Sequence, residues 1–318
     1  MSQQSAISHL PPLIATSVVR GSEQGESHGG VYIVDPGTQT VQQVVDWNTA
    51  DIDWSGRGWD RGLRGIAFFN DEIYIAASDE LFVYDQQFHL QRSFRNNYLK
   101  HCHEIYEHRG TLYLSSTGYD SILAFDLQSQ RFSFGIQVSK HDGQWQAHRF
   151  DPESGQGPAQ SNVLHINNVY CTDQGLGISG LRTNGILGLG AEMRLIKLVD
   201  LPAGTHNAQL FSEGVLFNDT DVDHLRYVTR DGAEKRYTFP LYDPSQLEAT
   251  GTDSSSVARQ AFGRGLCVIN ERLVAAGSSP STISVFDLET GNTVFSVNFS
   301  MDIRNAIHGL EVWPFKLP

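Results

Sequence analysis

The feature that most constrains this chain is the complementarity of its two ends. The last segment, "HGLEVWPF" from His308, supplies one β-strand with nothing after it to pair with. The beginning supplies three strands, "LIATSVVR", "GGVYIVDP" and "TVQQVVDW", with no strand before them. Between the ends, five segments share one register: "RGIAFFNDEIYIA" from Arg64, "HEIYEHRGTLYLS" from His103, "NNVYCTDQGLGIS" from Asn167, "HNAQLFSEGVLFN" from His206 and "RGLCVINERLVAA" from Arg264. Each opens on a polar residue, and a second apolar strand arrives nine residues later, at Ile73, Leu112, Leu176, Val215 and Leu273. His308 opens a sixth copy.

A third strand follows in most copies and ends in aspartate before a turn, as in "LFVYD" (Asp85), "ILAFD" (Asp126) and "ISVFD" (Asp287). A fourth follows, such as "LQRSF" or "TVFSVNF". Alternating apolar residues, β-branched and aromatic enrichment and Gly, Asp and Asn punctuation read as short antiparallel strands, and helical periodicity is not convincing anywhere. Four strands in roughly 40 residues is the repeat of a β-propeller blade. The expectation is therefore an all-β, six-bladed β-propeller in one domain, 1–318. Its blades are 308–318 with 12–47, 63–95, 102–138, 166–200, 205–240 and 263–299. The final innermost strand, read as Leu310 to Phe315, joins the three N-terminal strands and leaves no open sheet edge.

Innermost strands of a propeller run side by side, so their leading residues share one central pocket. In blade order these are His308, Arg64, His103, Asn167, His206 and Arg264, with histidine at every second place. The three histidines are 103 and 102 residues apart, so a two-blade unit occurs three times. Neutral imidazole is a common ligand for zinc and also suits iron, and three protein ligands leave a position open for chemistry. His103, His206 and His308 are the expected ligands of a divalent transition metal, zinc first and iron second. Arg64 and Arg264 carry planar forks suited to a substrate carboxylate or phosphate, or to a carboxylate such as Glu104. His101 and His165, each two residues before a ring position, are expected around the site together with Asn167 and Glu104. A slip of two residues would put His165 in the ring instead of Asn167. The long connections before Arg64, Asn167 and Arg264 carry Trp47, Trp54, Trp59 and Trp145 and are expected to form a lid. Cys102 is expected to point into the core.

Composition narrows the partners. A net charge of −13 with no basic block disfavours nucleic acid and anionic membrane surfaces. No apolar run reaches the ~20 residues that span a bilayer, and no secretory leader is legible at the start. Cys102, Cys171 and Cys267 are odd in number and lack CxxC spacing, as expected of thiols in a reducing, cytoplasmic setting.

"HGLEV", "HNAQL" and "HEIYE" at the heads of alternate blades resemble the zinc-ligand segments of peptidyl-α-hydroxyglycine α-amidating lyase, a six-bladed NHL-type propeller. The resemblance implies ligand roles for His103, His206 and His308, and an anion-binding arginine role for Arg64. The family's tyrosine base has no matching motif here; Tyr106 and Tyr170 lie near enough in sequence to consider, and Tyr106 is the nominated catalytic residue. That family is secreted and disulfide-bonded, two traits this chain does not share, so the metal geometry carries over and the substrate does not. The expected function is a metal-dependent lyase or hydrolase acting on a small or peptide-like anionic substrate. The alternatives are an iron-dependent oxygenase, although carotenoid oxygenases have seven blades and four histidines, and a non-catalytic propeller that binds a ligand or protein.

Overall fold

A computed structural model describes residues 10–47, 62–251 and 258–318. Among the described residues, six small antiparallel sheets account for nearly all regular structure, beside a 3-10 turn at Pro244–Gln246, and the fold class is an all-β six-bladed propeller. The closing sheet is β25 (Asn305–Val312), β1 (Leu13–Val19), β2 (Gly29–Asp35) and β3 (Thr40–Asp46), in that order. The last strand pairs with the first along its length, from Leu13 opposite Val312 to Val19 opposite Asn305. It begins earlier than its apolar pattern indicates, at Asn305 rather than Leu310, because the polar Asn305 and His308 are buried within it.

The other sheets follow chain order. They are β4 (Ile66–Phe69) to β7 (Leu90–Arg95); β8 (Ile105–His108), β9 (Thr111–Ser116), β10 (Ser121–Asp126), β11 (Arg131–His141) and β12 (Gln144–Phe150); β13 (Ile166–Thr172), β14 (Gly175–Gly180), β15 (Gly185–Leu189) and β16 (Leu195–Asp200); β17 (Thr205–Phe211) to β20 (Glu234–Thr238); and β21 (Arg264–Val268) to β24 (Thr293–Asn298). The nine-residue spacing corresponds to one innermost strand, its turn and the start of the next. The aspartates that end third strands fix the turns that follow. Asp85 Oδ1 accepts from the Gln87 and His89 amides, and Asp287 Oδ1 from the Glu289 and Thr290 amides. Such Asx contacts mimic a backbone turn.

Two compact units divide the chain, residues 1–64 with 210–318 and residues 65–209. In the second, the core lies between neighbouring sheets. Phe125 is fully buried, with ring centroids 4.8 Å from Phe94 and 5.1 Å from Phe132. Truncating such a ring costs about 3–5 kcal/mol. In the first, Leu13, Ala15, Ile283, Val285 and Ile307 form a comparable cluster.

The expectation that the connection before Asn167 forms part of a lid is corrected. "VSKHDGQW" is a hairpin, with Gly135 to His141 paired against Phe150 to Gln144, so the blade has five strands. Asp142 and Gly143, at φ 47° and 80°, supply the two left-handed residues that a tight hairpin turn requires. Trp145, His141 and His148 therefore lie on an outer hairpin. Trp47 is 5% exposed and extends the β2–β3 pairing through its backbone, its amide donating to the Gly29 carbonyl. Trp54 and Trp59 fall outside the described residues.

Candidate functional site

Irregularities at the heads of innermost strands position the ring residues. In β25 the pairing skips between Ala15–Leu310 and Ser17–Ile307, so His308 and Gly309 together face Thr16. In β13 the skip leaves Asn167 as the extra residue, and in β21 it leaves Gly265, at φ 70°. Such bulges bend a strand and re-aim side chains. A sequence signal was present. Arg64, Arg264 and His308 precede glycine, and Asn167 and His206 precede asparagine. Glycine also allows close approach: a Cβ on Gly65 would sit 2.6 Å from the Ile105 amide nitrogen, and one on Gly265 2.8 Å from the His308 carbonyl oxygen.

Within residues 65–209 the two histidine-headed strands are finished alike. His103, two residues before β8, has Nδ1 2.8 Å from the His101 carbonyl and 2.9 Å from Thr117 Oγ1. His206, the second residue of β17 and 3% exposed, has Nδ1 3.1 Å from the Gly204 carbonyl. A carbonyl only accepts, so Nδ1 carries the proton in both rings and the neutral imidazole keeps its lone pair on Nε2. The same tautomer, fixed by the carbonyl two residues back, is repeated at positions 103 residues apart.

More polar groups gather around them. The His165 ring stands edge-on to His103, with centroids 5.6 Å apart. Glu104, beside His103, accepts a 2.8 Å hydrogen bond through Oε1 from Nδ2 of Asn207, beside His206. Asn167 is 2% exposed within β13, and its Nδ2 reaches the Thr205 carbonyl at 3.5 Å. Asn167 is thus the strand residue, while His165 lies before the strand at φ 55° against His103. Asp120 holds that approach. It is 1% exposed and accepts from Ser161 Oγ and from the Val163, Leu164 and His165 amides. Cys102 is fully buried, as expected. Tyr106 is 37% exposed on β8, and Tyr170 is buried with its ring over Gly177.

Within residues 1–64 and 210–318, His308 is 5% exposed in the fourth position of β25 rather than at its head. Arg64 is 4% exposed, and its carbonyl accepts from Thr16 Oγ1 at 2.6 Å. Arg264 is 9% exposed, with its guanidinium carbon 4.8 Å from the Phe262 ring centre.

Sequence reading missed a set of threonines that repeats with the histidines. Thr117 and Thr220 each lie fourteen residues after their histidine. Thr117 Oγ1 donates to the Ile166 carbonyl at 2.6 Å, and Thr220 Oγ1 to the Gly263 carbonyl at 3.3 Å. Thr16 Oγ1 makes the corresponding bond to Arg64. Each ties a histidine-bearing blade to the head of the next innermost strand, so the two-blade repeat exists in the contacts as well as in the spacing.

Among the described residues, no three His, Cys, Asp or Glu side chains are gathered as a group that could hold a metal ion. Nor is any helix there long and apolar enough to cross a membrane.

By sequence, the chain matches no protein family and no curated protein. Among solved structures it is similar to a chain of a nidogen/laminin complex, at 8% identity and TM-score 0.56, covering 94% of this chain and 97% of that one. The likeness is one of fold. The chain also matches virginiamycin B lyase from Staphylococcus aureus with quinupristin, at 9% identity, TM-score 0.49 and coverages of 86% and 79%. A streptogramin B lyase matches at 14% identity, TM-score 0.41 and coverages of 72% and 70%.

Proposed function

We propose that the chain is a metal-dependent enzyme of lyase or hydrolase type acting on a small or peptide-like molecule with an anionic group. His103, His206 and His308 are the proposed ligands of a divalent transition metal, zinc before iron. Arg64 and Arg264 are the proposed anion-holding residues. The observation that carries this reading is the shared tautomer of His103 and His206, each with Nδ1–H held by a backbone carbonyl. An imidazole that ligates through Nε2 is ordinarily oriented by such a contact.

A metal on these rings would supply Lewis acidity at neutral pH. The chain's own residues do the rest. The His101 and Gly204 carbonyls fix the two imidazoles, and the Glu104–Asn207 bond ties together the residues that follow them. His165 and Tyr106 are the proposed proton carriers. Three buried thiols, Cys102, Cys171 and Cys267, suit a reducing compartment, and we place the protein in the cytoplasm.

The edge-on packing of His165 on His103 favours a second reading, in which the same polar groups bind a ligand without metal. Elemental analysis of untagged protein separates the two. Near-stoichiometric zinc or iron that is lost in His206→Ala and kept in Arg64→Ala supports the enzyme. A metal-free, equally stable wild type contradicts it and leaves the binding propeller.

A further inference from the structure

Turns of two neighbouring blades border an open cleft of about 820 Å³ within residues 65–209. One wall comes from Phe69 at the end of β4, Asn70 in the turn after it, Glu72 on the next strand and Arg92 on β7. The other comes from the Arg109–Gly110 turn after β8 and from the turn after β10, with Asp126, Gln128 and Gln130. Arg109 stands at the far end of β8 from His103, roughly 20 Å away along an extended chain, so the cleft is separate from the histidines.

The charges that line the cleft balance. Arg92 grips Glu72 by two parallel 2.7 Å bonds, Nη1 to Oε1 and Nη2 to Oε2, and the Tyr74 hydroxyl donates to Oε2 at 2.9 Å. The guanidinium holds the Glu72 carboxyl below the ordinary carboxylate range, so the pair stays ionised at neutral pH. Arg109 meets Asp173, which is not part of the wall, at 2.8 Å. Asp126 Oδ1 caps its own turn, accepting from the Ser129 amide at 2.6 Å. Two carboxylates and two guanidiniums leave the wall with no net charge, in a chain that carries −13.

The groups left open are those of a hydrogen-bonding surface. Asp126 Oδ2 and the side-chain amides of Asn70, Gln128 and Gln130 have no hydrogen-bond partner among the described residues. Each amide can donate and accept, and the carboxylate oxygen accepts. Asn70 and Gln130 are set by their turns at φ 53° and 56°. Phe69, half-buried against the core, and Leu127 add apolar surface.

We propose that this cleft binds a neutral saccharide of one or two pyranose units. A pyranose carries hydroxyls that donate and accept around its edge and C–H groups on its faces, which suits planar amides and a carboxylate beside an apolar patch. A wall without net charge gives an ionic ligand little to offset its lost hydration, and an apolar ligand would leave the amides unpaired. The volume lies within the range of about 300–1,000 Å³ that takes small molecules. The site needs no metal and stands or falls apart from the proposed enzyme.

The test is saturation-transfer NMR of the full chain in the presence of a chelator, with glucose, maltose, cellobiose and chitobiose as probes. At least one should bind saturably. Gln128→Ala and Asp126→Asn should each weaken that binding about fivefold, the worth of one hydrogen bond. Asp126→Asn keeps an oxygen for the Ser129 amide, and Gln128 is exposed, so both variants should fold. Lys197→Gln, on β16 of another blade, should leave binding unchanged. Glucose 6-phosphate should bind no more tightly than glucose. Absence of saturable binding by all four probes, binding that survives both substitutions, or a clear preference for glucose 6-phosphate overturns the proposal. Binding of acetyl-triglycine amide in place of every saccharide also overturns it and assigns the cleft to a peptide.

Discussion

His103 and Arg264 take the same place in their repeats, yet the chain finishes the two places in opposite ways. His103 is fixed through one nitrogen, with Nδ1 bound to a carbonyl two residues back, and His206 repeats the device. Arg264 instead sets its guanidinium carbon 4.8 Å from the centre of the Phe262 ring, which also receives Arg20 and Arg259. Holding one nitrogen of an imidazole decides which atom carries the lone pair. The first sets the tautomer of an imidazole and the second packs a cation against an aromatic ring, so one repeat position is finished in two chemically different ways.

The histidine side is most easily broken at Asp120. Its carboxylate accepts from the Val163, Leu164 and His165 amides and from Ser161 Oγ. Asp120→Ala strands those donors and should cost about 2–4 kcal/mol in chemical denaturation. It should also release His165 from His103.

The strand that carries His308 sharpens the comparison through its titration. Glu311 lies three residues on with its carboxyl in the packed interior beside Cys267, and burial pushes that carboxyl up to about 8. Because the folded pKa lies above the usual carboxylate value, the folded state favours the proton. The associated stability is full below about pH 4.5 and is lost as pH rises through 8. Glu311→Gln removes that dependence. It should gain about 1–3 kcal/mol on the wild type at pH 9 relative to pH 5, less than the full shift implies because the residue keeps some solvent contact. Equal pH profiles for the two proteins would place that carboxyl in water.

Smaller effects separate the contacts around the rings. Thr117→Val takes away one of the two oxygens near His103 Nδ1 and should weaken zinc binding about tenfold in competition with a chelating dye. Asn207→Asp sets a carboxylate against Glu104 in place of a 2.8 Å hydrogen bond. It should cost about 0.5–1 kcal/mol near neutral pH, and the loss should shrink as salt is added.

The propeller was legible because its signals are local and repeated. A nine-residue spacing, an aspartate before the turn in most copies and complementary ends survive any detail of packing. The fifth strand of one blade was signalled by Asp142 and Gly143, and its "HDGQW" reads as a loop only when that turn chemistry is overlooked. The place of His308 inside β25 was not legible, because a bulge opposite Thr16 shifts the register without changing the apolar pattern. The tautomers and the Phe262 cluster were hidden for another reason. Both depend on contacts between a side chain and a backbone or ring that the order of residues does not specify. The threonines were readable in principle, since Thr117 and Thr220 keep the same distance from His103 and His206.

The most direct test is long-range proton–nitrogen NMR of the imidazoles during zinc titration of the untagged protein. His103 and His206 should begin with Nδ1 protonated and Nε2 bare of hydrogen, and one equivalent of zinc should move the Nε2 signals of His103, His206 and His308 together. Nε2 signals that ignore stoichiometric zinc, or a proton found on Nε2 in either of the first two rings, would contradict this expectation.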